Sequence, residues 1–281
     1  AENHIILFDN TFFKKVCLFQ YFFLCLLYMD INEKVNDDYQ VGKIDMSCDN
    51  VPSDIDDIFI KRNFFGVSVG SAGSGKTNLL IWLLTHRVGK GWNQKFQRIY
   101  YISPSMDTID KDVGFAEERV YTEFSSEILQ EILGIESEYS EEARENEEPI
   151  PQKLVIIDDC ITEINKPKHL ATLMRLIYNR RHLGFSILIT SQKYNMLPKK
   201  LRVSLANKGF LFLFKTQNKK EIEDISSEII DLNKNELHQL LDYVFPEEEK
   251  YNFLYVRFDK PLSQQFHKCF NRLQLTFLKN K

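Results

Sequence analysis

An α/β fold, with a mostly parallel sheet and helices on both faces, is predicted by three features of this 281-residue chain. From Phe64 onward, apolar runs of about five or six residues alternate with helical stretches, the pattern of strands buried on both faces. Residues Gly70 to Thr77 read Gly-Ser-Ala-Gly-Ser-Gly-Lys-Thr, a complete match to G-x-x-x-x-G-K-[ST]. A later apolar run, Leu154-Val-Ile-Ile, ends in Asp158-Asp159, and the C-terminal edge of a parallel sheet is where such folds bind ligands.

The elements follow in chain order. Asn63 to Val69 is short, apolar and β-prone, and Thr77 to Val88 is a helix-forming run. The loop between them therefore sits on a helix N-terminus, whose dipole favours anions. Gly70, Gly73 and Gly75 let the backbone curl so that the N–H groups of Ser71, Ala72, Ser74 and their neighbours face a β-phosphate. Lys76 reaches the β/γ oxygens and the Thr77 hydroxyl ligates Mg²⁺, so ATP with Mg²⁺ is the expected ligand. Arg98–Ser103, Leu154–Asp158, Ser186–Thr190 and Gly209–Lys215 read as the second to fifth strands. Between them, Glu136 to Glu148 carries seven glutamates and one arginine without apolar periodicity, which predicts a solvated insertion near residues 136–149.

The chain is 43% hydrophobic and carries a net charge of −4, so bulk charge does not announce a nucleic-acid binder. Five scattered cysteines without a C-x-x-C pair argue for a reducing compartment and against a disulfide framework or zinc site. Residues 1–57 are read as a hydrophobic N-terminal segment and an acidic linker, followed by one ATPase domain over 58–281. The run Val16 to Met29 is short for a bilayer span and lacks a cleavage pattern. Three readings stay open for it: translation starting at Met29 or Met46, a docking segment, or a targeting signal.

Asp158, at the end of its strand, is expected to hold the Mg²⁺ shell, and Asp159 to act as general base on the attacking water. A helix N-cap is the rival reading for the pair. Gln192, just past the fourth strand, is placed to sense the γ-phosphate with an amide that both donates and accepts, with turn chemistry as its rival. No acid occurs between Glu163 and Glu221, a stretch holding thirteen Lys and Arg, which predicts a basic face for a phosphate backbone or a merely solvated one. Within it, Arg180 and Arg181 end a helix. They read either as arginine fingers for a neighbouring subunit or as compensation of the helix dipole.

These motifs, with the run MRLIYNRRHLGFSILITSQKYNMLPKKLRVSLANKGFLFLF from Met174 to Phe214, resemble the viral DNA-packaging ATPases. Those are FtsK–HerA-type motors of large nucleocytoplasmic DNA viruses, virophages and Polinton (Maverick) elements. The resemblance covers about residues 60 to 260 and rests on the order of loop, Asp-Asp, Asn-Arg-Arg-His and strand with Ser-Gln. It implies a RecA-like core in a homo-oligomeric ring that pumps double-stranded DNA into a capsid, with portal or vertex proteins as partners. It also implies a location in the virion or in host cytoplasm or nucleus, without secretion. Carried over by residue, Gly70, Gly75, Lys76 and Thr77 match the loop, Asp158 and Asp159 the metal and base positions, and Gln192 the sensor. Arg180 or Arg181 falls in the finger region. Other DNA-translocating ATPases and small-molecule kinases are the alternatives; kinases, however, cluster their lid arginines in one short loop.

Overall fold

The computed structural model describes residues 55–85, 91–105, 117–216, 218–249 and 251–275. The N-terminal hydrophobic run and nearly all of the acidic linker lie outside them. Among the described residues the sheet consists of β1 (Phe65–Val69), β2 (Arg98–Ile102), β3 (Val120–Tyr121), β4 (Lys153–Ile157), β5 (Phe185–Ser191), β6 (Phe210–Phe214), β7 (Phe253–Arg257), β8 (Phe266–Lys268) and β9 (Asn271–Arg272). Their order is β3-β2-β4-β5-β1-β6-β7-β8-β9. β1 to β6 pair in parallel, and the last three strands extend the sheet antiparallel. The five strands read from sequence are present within a residue or two of their expected ends.

Seven helices are described: α1 (Lys76–Thr85), α2 (Ser126–Glu145), α3 (Ile161–Ile164), α4 (Pro167–Leu183), α5 (Lys199–Leu205), α6 (Lys219–Glu228) and α7 (Lys234–Val244). Alternate strand residues face opposite ways, which separates two cores. Val67, Val155, Ile187 and Leu211 pack with Leu129 of α2, Leu173 of α4, Leu201 of α5 and Leu237 of α7. Tyr101, Ile156, Leu188 and Phe212 face the other way, onto Leu80, Leu83 and Leu84 of α1 and the aromatic residues Phe59, Phe64 and Trp92. Phe64 stacks on Trp92 with ring centroids 4.6 Å apart, and the indole N–H donates to the Ile60 carbonyl at 3.0 Å. This second layer begins at buried Ile55, three residues before the expected domain start.

The acidic stretch is not an insertion. Residues 136–145 are the second half of α2, which Ser125 caps by accepting from the Ile128 N–H. The buried stripe of this helix runs Leu129, Ile132, Glu136, Ser140 and Ala143, a helical spacing whose later positions are polar. That is why no apolar period shows in the sequence. Glu136, 1% exposed, accepts from Arg98 at 2.9 Å and from the Tyr100 hydroxyl. Lys153, fully buried, donates to Ser140 Oγ at 2.9 Å and to the Leu183 carbonyl at 3.0 Å, and lies 3.4 Å from Glu136. Burial pulls the Lys153 ammonium below its ordinary pKa, while Glu136 pulls it back up. Glu136→Ala leaves that cation buried without its counter-charge, so unfolding in urea should show a loss of about 3–5 kcal/mol.

Candidate active site: a phosphate loop beside an acidic pair

The phosphate loop leaves β1 at Gly70 and enters α1 at Lys76. Gly73 (φ 73°) and Gly75 (φ 100°) occupy the left-handed region, which side chains resist. The curl is closed by Ser74 N–H on the Ser71 carbonyl at 3.2 Å and by Gly70 N–H on the Ser191 carbonyl at 3.0 Å. The first N–H groups of α1 have no intrahelical acceptor and point out of the helix start. Lys76 is 9% exposed, and its ammonium donates to the Gly70 and Ser71 carbonyls at 2.6 and 3.0 Å. Burial lowers its pKa, opposed by the Asp159 and Asp158 carboxylates. Ser74 Oγ is buried with no partner inside the loop. A curled backbone, a retained ammonium and an orphaned hydroxyl together suit an incoming phosphate chain.

β5 lies between β1 and β4, so its end separates the loop from the acidic pair. Asp158 is 4% exposed and accepts three hydroxyls. Tyr101 donates to Oδ2 at 2.7 Å, Thr77 to Oδ2 at 3.3 Å, and Thr190 to Oδ1. The Thr77 hydroxyl and this carboxylate are therefore adjacent oxygens that could hold a hard cation such as Mg²⁺. Asp159 is exposed and left-handed, at φ 55°. Its N–H donates to Thr190 Oγ1 at 3.0 Å, and both its carboxylate oxygens accept from Gln192 Nε2, at 3.2 and 2.9 Å. A carboxylate carries no donor, so the amide has to present its NH₂ group here. A cavity of about 520 Å³ opens beside the loop, lined by Gly70, Ser71, Ser74, Gln192, Phe214 and Asn218 among others. Burial and the two nearby aspartates push the Cys160 thiol up to about 12, which leaves it inert as a nucleophile.

The structure thus brings Lys76, Thr77, Asp158, Asp159 and Gln192 together. Arg180 and Arg181 are elsewhere: they end α4, at the N-terminal edge of the sheet opposite the loop. Arg180 Nε donates to the Asn63 carbonyl at 3.0 Å, and its terminal nitrogens donate to the Ile177 and Asn207 carbonyls at 2.8 and 3.4 Å. The two arginines border a cavity of about 600 Å³ together with Lys61, Tyr178 and Lys208. Neither reaches the phosphate loop of its own chain, and Arg180 is a structural tie.

The acid-free stretch is also less basic in space than in sequence. Lys166 pairs with Glu163 at 2.6 Å, Lys168 with Glu127, and Arg202 with Glu228 at 2.7 Å while lying over the Tyr194 ring. Lys193, Lys199 and Lys200 stay exposed directly after Gln192. Tyr101 and Thr190 escaped the sequence reading. Their one signal is a polar group inside an otherwise apolar strand, and what unites them with Asp158 is register. Tyr101 lies opposite Ile156 and Ile157 opposite Ile189, so Tyr101, Asp158 and Thr190 share one face of three adjacent strands.

Several solved structures are similar to this one. B204, the genome packaging NTPase of Sulfolobus turreted icosahedral virus 2 in complex with AMPPCP, is 15% identical over 75% of this chain and 98% of its own, with a TM-score of 0.51. B204, the DNA-packaging ATPase of Sulfolobus turreted icosahedral virus, is 14% identical with the same coverages and the same score. The cytoplasmic domain of the type VII secretion ATPase EccC of Thermomonospora curvata is 14% identical over 75% of this chain and 24% of its own, at 0.49. No curated protein sequence matches the chain. The family model of the poxvirus A32 protein matches residues 56–272, spanning the loop, the acidic pair and Gln192, and the chain belongs to that family.

Proposed function

We propose that this protein is the ATP-driven motor of viral genome packaging, translocating double-stranded DNA into a capsid. The observation that carries this reading is the Gln192 amide seated on Asp159, at the end of the strand between the phosphate loop and the acidic pair. It joins the element that handles water to a segment carrying exposed lysines. Membership in a poxvirus family, and the packaging role given for the structurally similar B204 proteins, support the same reading.

In the reaction, the loop N–H groups and Lys76 bind the β/γ oxygens and hold the triphosphate across the end of β1. Thr77 and Asp158 would hold Mg²⁺, which would supply charge neutralisation on the phosphate oxygens. Tyr101 and Thr190 fix the Asp158 carboxylate. Burial raises the Tyr101 pKa further above its ordinary value, so its hydroxyl remains a donor. Water attack makes one bond to the γ-phosphorus and breaks the bond to the β–γ bridging oxygen, and Asp159 takes the water proton. Gln192 sets whether Asp159 faces that water. Lys193, Lys199 and Lys200 grip phosphates of duplex DNA, and the contact is relayed through Gln192 to the base. The motor works as a homo-oligomeric ring on a capsid portal or vertex protein, inside the virion or the infected host cell. Arg181, exposed at the end of α4, serves as the finger of a neighbouring subunit, while the Arg180 guanidinium sits half-buried on the carbonyls of Asn63, Ile177 and Asn207.

ATP hydrolysis with and without long duplex DNA, in wild type and in Lys199→Glu/Lys200→Glu, tests the coupling. The wild type should be stimulated by DNA of any sequence. The variant should keep its basal rate, lose stimulation, and show a salt dependence of DNA binding shallower by about two counterions. Loss of the basal rate as well would place these lysines in the fold or the assembly.

A further inference from the structure

The phosphate loop lies between two flanks of the sheet edge. On the β4–β5 side stand Asp158, Asp159 and Gln192, the groups that deal with the γ-phosphate and water. On the β6–β7 side the sheet edge is aromatic. β7 runs antiparallel to β6, with Phe253 opposite Phe214, so the chain just before β7 arrives at the same edge as the loop. Tyr251 is carried there. It is 72% exposed, the most exposed large hydrophobic side chain among the described residues. Its ring stands near the loop's boundary: a Cβ on Gly75 would lie 3.8 Å from Tyr251 Cδ1 and 3.8 Å from Phe214 Cε1.

We propose that Tyr251 is the residue on which the base of the bound nucleoside triphosphate stacks. The inference rests on the reading of the loop as a triphosphate site and adds the part of the ligand the loop does not hold. A triphosphate whose γ end points at Asp159 lies across the end of β1, and its α-phosphate and nucleoside leave on the opposite flank. An aromatic ring on that flank offers the base a π-face at little conformational cost, and stacking of this kind tolerates any base. The side chains of Asn252 and Glu249 near the ring are bonded while the ring itself is open. Asn252 Nδ2 donates to the Val244 carbonyl at 2.8 Å and to Glu249 at 2.5 Å, and Glu249 pairs with Lys268 at 2.9 Å. Asn252 and Glu249 are thus held by their neighbours, and Tyr251 is left facing outward beside the phosphate cradle.

The test is equilibrium binding of ATP and of inorganic tripolyphosphate, each with Mg²⁺, to the wild type, Tyr251→Ala and Tyr251→Trp. Tripolyphosphate has the phosphate chain and no base. Tyr251→Ala should weaken ATP about tenfold or more, as loss of a base–aromatic stack does, and leave tripolyphosphate within about twofold. Tyr251→Trp should restore ATP affinity and report the nucleotide through its own fluorescence. Equal weakening of both ligands by Tyr251→Ala would make the residue a support of the loop and overturn the proposal. So would unchanged ATP affinity with normal tripolyphosphate binding. A wild type that binds neither ligand would remove the triphosphate reading itself along with the proposal.

Discussion

Asp159→Asn should bind ATP as the wild type does and hydrolyse it about 10²–10⁴-fold more slowly, the usual effect of losing a general base. The substitution isolates the chemistry. Asparagine is among the few side chains that accept the left-handed backbone found here, φ 55°, so the turn after β4 is retained. An asparagine oxygen still accepts from Gln192, while the group that would take the water proton is gone. Lys76→Ala is the complementary case. It removes the buried ammonium that otherwise donates to the loop carbonyls, and with it both triphosphate binding and turnover. Nucleotide affinity by calorimetry and turnover by phosphate release separate the two. An Asp159→Asn protein with normal turnover would transfer the base role to another carboxylate; Glu163, the third residue of α3, is the next acid along the chain.

Arg180→Ala and Arg181→Ala should fail in different ways. Arg180 donates to backbone carbonyls at the entry of β1, within α4 and after α5, so its loss should cost about 1.5–3 kcal/mol of stability. Arg181 is exposed at the same helix end, and its loss should cost less stability than the loss of the half-buried Arg180. As a finger acting on a neighbouring subunit, it should instead support about 10³–10⁵-fold in rate. Wild-type specific activity should then rise steeply with protein concentration. A mixture of Arg181→Ala and Lys76→Ala should recover part of the activity, because some interfaces join an intact loop to an intact arginine. Concentration-independent activity, or no recovery on mixing, would assign Arg181 to the helix end alone.

What the sequence discloses of this molecule follows the range of the contacts involved. The loop from Gly70 to Thr77 is legible because eight consecutive residues carry its whole geometry. The five parallel strands are legible because burial on both faces makes each a continuous apolar run. Asp158 and Asp159 are legible from their place at the end of such a run. The hydroxyls that hold Asp158 are not: Tyr101 and Thr190 reach it only through the register of β2, β4 and β5. Nor is the second half of α2, where Glu136 and Ser140 take core positions that leucines would advertise. Arg180 is half legible for a related reason. Its place at the end of α4 agrees with the helix-end reading, while its acceptors Asn63 and Asn207 are distant in sequence, so its ties across the fold are not. The acid-free stretch behaves likewise, because Glu127 and Glu228 come from other elements to meet its Lys168 and Arg202.

In the proposed motor, hydrolysis at this loop moves duplex DNA. Displacement of a third-strand oligonucleotide from a long duplex, followed with ATP and Mg²⁺ present, measures that movement directly. The wild type should strip the third strand in proportion to ATP consumed, and Lys76→Ala should leave it in place. Vigorous hydrolysis that neither responds to the duplex nor displaces the third strand would contradict the claim.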